Sequence, residues 1–148
     1  MLKRAAMAPA ILLLLLASSC TDSDLATVSK SLLVAAKSIG TVQDTVIQAE
    51  KLGVIPTETT RTILEACVKA NYAGQQASAI TRSISKLDPA SRAQMTPMVS
   101  AALQSINASL VIDLSGVKDD QTKLMITAGL GAAKTALITA LTLLQSGG

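Results

Sequence analysis

Hydrophobic residues recur along this chain at alternating steps of three and four, and that spacing predicts a succession of helices. The first helix is predicted over 25–52, where the apolar positions form an unbroken seam of the kind that packs knobs into holes. Gly53 and Pro56 mark its end. The seam consists of Leu25, Val28, Leu32, Ala35, Ile39, Val42, Val46 and Ala49.

A second helix is predicted over 58–87, with Thr57 as its N-cap. The alanines in the middle of its seam favour a close approach to a neighbouring helix. Its apolar positions are Ile63, Ala66, Ala70, Ala73, Ala77, Ile80, Ile84 and Leu87.

The start of a third helix is predicted at Asp88 and Pro89, with Asp88 as the N-cap and Pro89 as the first helical residue. Thr96 and Pro97 repeat that signature, so either a short helix precedes the main one or a single helix is kinked. The end is predicted near 114–116. The apolar positions are Val99, Leu103, Ile106 and Leu110.

A fourth helix is predicted to begin near Lys118 and to reach Gln145, with Asp119 and Asp120 at its positive N-terminal end. Short connections favour antiparallel neighbours. The expected fold is therefore all-α, an up-down antiparallel four-helix bundle. The same seams could instead form a coiled coil between chains, and the sequence leaves that alternative open.

The composition predicts an unusual core, built from aliphatic side chains with almost no aromatic ones. Hydrophobic residues make up 49% of the chain but aromatic residues only 1%, and Tyr72 is the sole aromatic side chain. We expect Tyr72 in the core with its hydroxyl at the edge. The net charge of +3 includes Lys3 and Arg4. Without a basic stripe on the remainder, nucleic acid is not expected as a partner.

The first residues have the three-part layout of a secretory signal. Lys3 and Arg4 precede a short apolar run over 10–17, and the small residues Ser18 and Ser19 follow it. The apolar run is too short to cross a bilayer comfortably. The sequence therefore predicts export from the cytoplasm.

The motif Leu16-Ala17-Ser18-Ser19-Cys20 resembles the lipobox of bacterial lipoproteins. That resemblance implies a diacylglyceryl group on the Cys20 thiol, with palmitate-type acyl chains, and cleavage just before Cys20. It departs from the commoner pattern at Ala17, where leucine is usual. An ordinary secretory signal with a chance cysteine and an uncleaved anchor are the alternatives.

This resemblance implies a division of the chain into four parts. These are a signal peptide (1–19), a lipidated cysteine with a short tether (20–24), a helical bundle (25–145) and a flexible tail (146–148). Thr21, rather than aspartate, follows Cys20. In a Gram-negative host this favours the outer membrane, facing the periplasm, over the inner membrane.

Candidate chemistry is sparse. The chain has no histidine, which removes the commonest general base and metal ligand. Cys67 is expected to be an unpaired, buried, small hydrophobic residue. Asp119 and Asp120 are expected to stabilise a helix end. We therefore predict no catalytic residue, no metal, no cofactor and no enzymatic activity.

The segment from Leu124 to Leu144 is long and apolar enough to span a bilayer. Its central Lys134 and the lack of flanking aromatic residues favour a buried helix of the bundle instead. Its four threonines favour the same interpretation: Thr127, Thr135, Thr139 and Thr142.

The predicted function is that of a non-catalytic, membrane-anchored lipoprotein acting in envelope structure or protein–protein interaction. Its partner would be an unknown protein or a second copy. One alternative is a membrane-active or pore-forming protein that inserts 124–144. Another is a carrier of a small apolar ligand.

Overall fold

The computed structural model describes the backbone of residues 8–146 and the side chains of residues 23–146. Over that range it confirms the all-α prediction. α1 packs on α2 and α4, and α3 also packs on α2 and α4, as in an up-down four-helix bundle. The helices are α1 (Ala8–Lys51), α2 (Thr57–Ser83), α3 (Pro89–Leu110) and α4 (Asp120–Gln145).

The seam of α1 faces the core as predicted, with Leu25 half-buried and the positions from Val28 to Ala49 buried. The helix begins at Ala8 rather than near residue 25, so the stretch 20–24 is helical in the full chain. The side chains of the signal and of Cys20 lie outside the described residues.

The end of α1 is set by Gly53, which has a φ of 67°. Its N–H donates to the Glu50 carbonyl at 2.9 Å, and the Val54 N–H donates to the Ala49 carbonyl at 2.9 Å. These two bonds form a Schellman motif, which favours glycine because the left-handed conformation crowds a Cβ.

The structure corrects both ends of α2. Thr57 is already helical and Pro56 occupies the cap position, without a side-chain hydrogen bond. The helix ends at Ser83, where the Ser83 hydroxyl donates to the Ile80 carbonyl at 2.9 Å, and Ile84 is extended. Such a local bond competes with continued helix. Leu87 is still buried, but it reaches the core from the connection.

The α2 seam is confirmed at Ile63, Ala70, Ala73 and Ala77. It departs from the prediction by one residue at two places, where Cys67 and Thr81 are buried and Ala66 and Ile80 are only half-buried. The expectation for Tyr72 is wrong, because its side chain is 65% exposed. Two residues beyond the buried Ala70, a helical side chain points to the opposite side of the helix.

α3 is one helix that continues through Pro97, which resolves the two alternatives left by the sequence. Its predicted cap is confirmed, since Asp88 Oδ1 accepts from the Ser91 N–H at 2.7 Å. It ends at Leu110, short of the predicted 114–116. The Asp113 side chain accepts from the Ser115 N–H at 2.8 Å, and this turn competes with the helix.

α4 begins as predicted, with the Asp119 side chain accepting from the Thr122 N–H at 2.7 Å. Just before it, the Lys118 N–H donates to the Val54 carbonyl at 2.9 Å. This bond joins the α1–α2 connection to the α3–α4 connection at one end of the bundle, hereafter the loop end.

Candidate functional site

The opposite end of the bundle gathers the segment that follows Cys20. The up-down topology places the start of the described part of α1, the α2–α3 connection and the last turn of α4 together there. Arg92 is the side chain that connects these three elements, so we name this end the Arg92 end.

Arg92 is 9% exposed, which is unusual for an arginine. Its Nη1 donates to the Leu143 carbonyl, and its Nε donates to the Leu87 carbonyl at 3.4 Å. Its Nη2 lies 3.5 Å from Asp24 Oδ2. A cation at the carbonyl end of α4 also interacts favourably with the helix dipole.

This arrangement matters because Asp24 lies one helical turn after Cys20. The predicted lipidation site therefore belongs to the stretch of α1 that leads into the Arg92 end. Arg92 was not predicted from the sequence as a site residue. The sequence feature that could have indicated it is a lone charge at an apolar-periodic position, next to the strong Asp88-Pro89 boundary.

Cys67 is a free cysteine that is fully buried in the core, as predicted. Burial raises its pKa to about 11. At neutral pH the thiol therefore stays protonated, which removes the nucleophilic form. This position fits a packing role.

The carboxylates with shifted pKa values are structural. The Ser91 backbone N–H lowers the pKa of Asp88, and the Thr122 side chain lowers that of Asp119. The Ser115 backbone N–H lowers the pKa of Asp113. Among the residues described, no three His, Cys, Asp or Glu side chains are grouped to hold a metal ion. These carboxylates stabilise helix ends and a turn.

Two open grooves lie on the outside of the bundle. One, of about 500 Å³, is formed by Glu50 and the first half of α2, including Leu64 and Val68. The other, of about 420 Å³, lies between α1 and α4 beside Val34 and Ala132. Either would be the place for a small apolar ligand, and that function stays a prediction.

The outer surfaces of α3 and α4 are distinguished by their lack of charge. Residues 93–112 contain no Asp, Glu, Lys or Arg, and residues 124–146 contain only the half-buried Lys134. The four threonines of residues 124–144 each donate their hydroxyl hydrogen to a carbonyl one turn earlier, at 2.9–3.0 Å. Their methyl groups and oxygen lone pairs remain for outside contacts.

Within residues 23–146, two stretches are long and apolar enough to cross a membrane, Ser23–Lys51 and Asp120–Gln145. Both also contribute a buried stripe to the core. In α4 this stripe includes Ile126, Leu130, Ala133 and Leu137. Core helices pass the same length and composition test as membrane spans.

No protein family, curated protein or solved structure matches this chain.

Proposed function

We propose that this protein is a non-catalytic lipoprotein, anchored by acyl chains on Cys20 and facing the periplasm, that acts through protein contacts. The observation that carries the proposal is the motif Leu16–Cys20 directly after a short apolar run. Two or three acyl chains give stable attachment where one chain would be marginal. The outer membrane is the proposed destination.

The hydrogen bonds at the Arg92 end support this proposal, because they brace the turn of α1 that lies next to the proposed anchor. A tethered domain transmits force through the residues next to its anchor. Here Arg92 links the first described turns of α1, at Asp24, to the Leu143 carbonyl of α4. The anchor-proximal turn is thereby braced by a charged hydrogen-bond network, and charged hydrogen bonds are the stronger kind.

The test is the intact mass of the full chain after expression in a Gram-negative host, compared with Cys20→Ala. We expect a wild-type species that begins at Cys20 and carries acyl mass, and we expect that mass to be absent from the variant. A product without acyl mass would refute the anchor. As a second readout, the denatured wild type should show one reactive thiol, Cys67, because Cys20 is alkylated.

The apolar stretch of α4 favours a second candidate, a membrane-active protein in which residues 124–144 enter the bilayer. Ile138→Cys separates the two, because Ile138 is 43% exposed on the bundle. A water-soluble maleimide should label it readily if α4 stays in the bundle. Protection of Ile138→Cys that does not depend on protein concentration, with free labelling of the exposed control Ala79→Cys, would support insertion.

A further inference from the structure

One half of the bundle surface is charged and the other is not. The outer surfaces of α1 and α2 carry side chains of both signs, such as Lys37, Asp44, Glu65 and Lys69. The outer surfaces of α3 over 93–110 and of α4 over 124–142 carry almost none; we call these together the uncharged face. Soluble protein surfaces are ordinarily about 25–35% charged, so this face is a candidate interface.

Its polar groups are divided unequally between the two helices. α3 exposes the amides of Gln94, Gln104 and Asn107, and none of them hydrogen-bonds to another group in the described part of the chain. α4 exposes threonines whose hydroxyl hydrogens are committed to backbone carbonyls, as for Thr127 and Thr142. α3 therefore offers hydrogen-bond donors and α4 offers acceptors.

The geometry points to a second copy of this chain as the occupant of the uncharged face. A two-fold axis parallel to the helices places α3 of one copy against α4 of the other, and the reverse. Amide N–H groups of α3 then meet threonine oxygens of α4 in both halves of the interface. The charged side chain on this face is that of Lys134, which is already half-buried, so little charge is removed from water in the process.

The same amides disfavour lipid as the occupant. An amide carried into hydrocarbon without a hydrogen bond costs roughly 2–7 kcal/mol, and three such groups lie along the α3 side of this face. The large apolar residues exposed on or next to this face are few: Leu124, Met125, Ile138 and Val111.

The size of the face fits a modest dimer. α3 is about 33 Å long at a rise of 1.5 Å per residue, and two adjacent helices are about 20 Å wide. The face therefore covers roughly 600 Å² per copy, slightly below the usual 800 Å² per partner. The parallel orientation rests on the proposed anchor at Cys20, which also raises the local concentration of copies on a membrane.

The experiment measures the mass of the processed full chain in mild detergent by sedimentation, over a range of concentrations. Ala101→Glu on α3 and Gly131→Glu on α4 introduce a charge on the uncharged face. The controls are Ala79→Glu, on the exposed surface of α2, and Gly131→Ala, which adds a methyl group into open space.

We expect a concentration-dependent dimer for wild type and both controls, and at least a tenfold weaker dimer for each charged variant. Unchanged far-UV circular dichroism excludes misfolding as the cause. A monomer at every concentration, or equal weakening by Ala79→Glu, would overturn the proposal. A monomer whose binding to phosphatidylglycerol vesicles is lost in Gly131→Glu would reassign the face to lipid. The mass of the Cys20 species, measured separately, shows whether the anchor has failed instead.

Discussion

The seam between α1 and α4 and the seam between α1 and α2 use similar small residues but pack differently. At the first, a Cβ added to Gly129 would lie 2.5 Å from Val42 Cγ2, so the helices are in close contact. Along the second pair, Gly40 on α1 and Gly74 on α2 have open space around the Cβ position, and an external groove lies between Glu50 and α2. Small residues permit close packing, but the path of the helices decides where it occurs.

Hydrogen bonds follow the same division. At the Arg92 end, Arg92 joins α4 to α1 because it donates to the Leu143 carbonyl and pairs with the Asp24 carboxylate. Between α1 and α2, the amide of Asn71 donates to Gln43 Oε1 at 3.4 Å, a long bond between neutral groups. The α1–α4 pair should therefore form the more resistant half of the domain.

Removal of the Arg92 side chain should have the largest effect on the greater stability of the α1–α4 pair. Arg92→Ala leaves the Leu143 carbonyl and the Asp24 carboxylate without their shared partner, and we expect a loss of about 2–3 kcal/mol in the free energy of unfolding. Urea unfolding followed by circular dichroism measures it. Arg61→Ala is the control, because its ion pair with Glu58 is solvent-exposed. Equal midpoints for the two variants would contradict the bracing role.

Gly129→Ala should have the next largest effect. The added methyl group overlaps Val42 Cγ2, and overpacking of a close seam costs about 1–3 kcal/mol. Thermal unfolding measures the loss. The double variant with Val42→Ala should recover part of it, since the overlapping atom is removed. If the double variant is as unstable as the sum of the two single variants, the contact is not the cause.

Gly74→Ala should act in the opposite direction. The Cβ position of Gly74 on α2 is in open space, and alanine is favoured over glycine by about 1 kcal/mol inside a helix. We expect a higher melting temperature, in contrast to the loss at Gly129. A destabilised Gly74→Ala would show that the space beside Gly74 is not open in solution.

Low pH should have the smallest effect of the four, and it should act on the capped helices α3 and α4 before it acts on α2. Hydrogen bonds lower the folded-state pKa of Asp88 and Asp119, which cap α3 and α4, whereas α2 has no side-chain cap. Their stabilisation is complete above the unfolded pKa of about 3.9 and is lost as pH falls through the lower folded pKa. Hydrogen exchange at the start of α4 should therefore rise below pH 4 before that of α2. Asp119→Asn should flatten this dependence.

Much of the fold could be predicted because its signals are local. The step of three and four defined the α1 seam, and Asp88 and Asp119 defined two helix starts. The α2 register was harder, since Ala66 and Cys67 are both small and apolar and only the positions of α1 and α3, on which α2 packs, distinguish them. Tyr72 was misplaced because the hydrophobicity of a side chain does not specify the direction in which the helix presents it.

The candidate site was less predictable than the fold. The prediction for Cys20, which stays a prediction, rests on neighbouring residues alone, whereas Arg92 gains its role from Asp24 and Leu143, which are distant in sequence. The close approach at Gly129 could not be distinguished from the open space at Gly131, because the two glycines differ only in their orientation towards α1.

The up-down topology also sets how far the loop end lies from the Arg92 end, and therefore from the proposed membrane anchor. If Cys20 carries the proposed acyl chains, the Arg92 end would rest near the bilayer and the loop end would stand about 40 Å above it, the length of α4 at 1.5 Å per residue. The exposed residues at the loop end, Leu52 and Val111, would then touch only structures at that distance from the membrane. A change of height would require matched insertions in all four helices, so this reach is difficult to alter by single mutational steps.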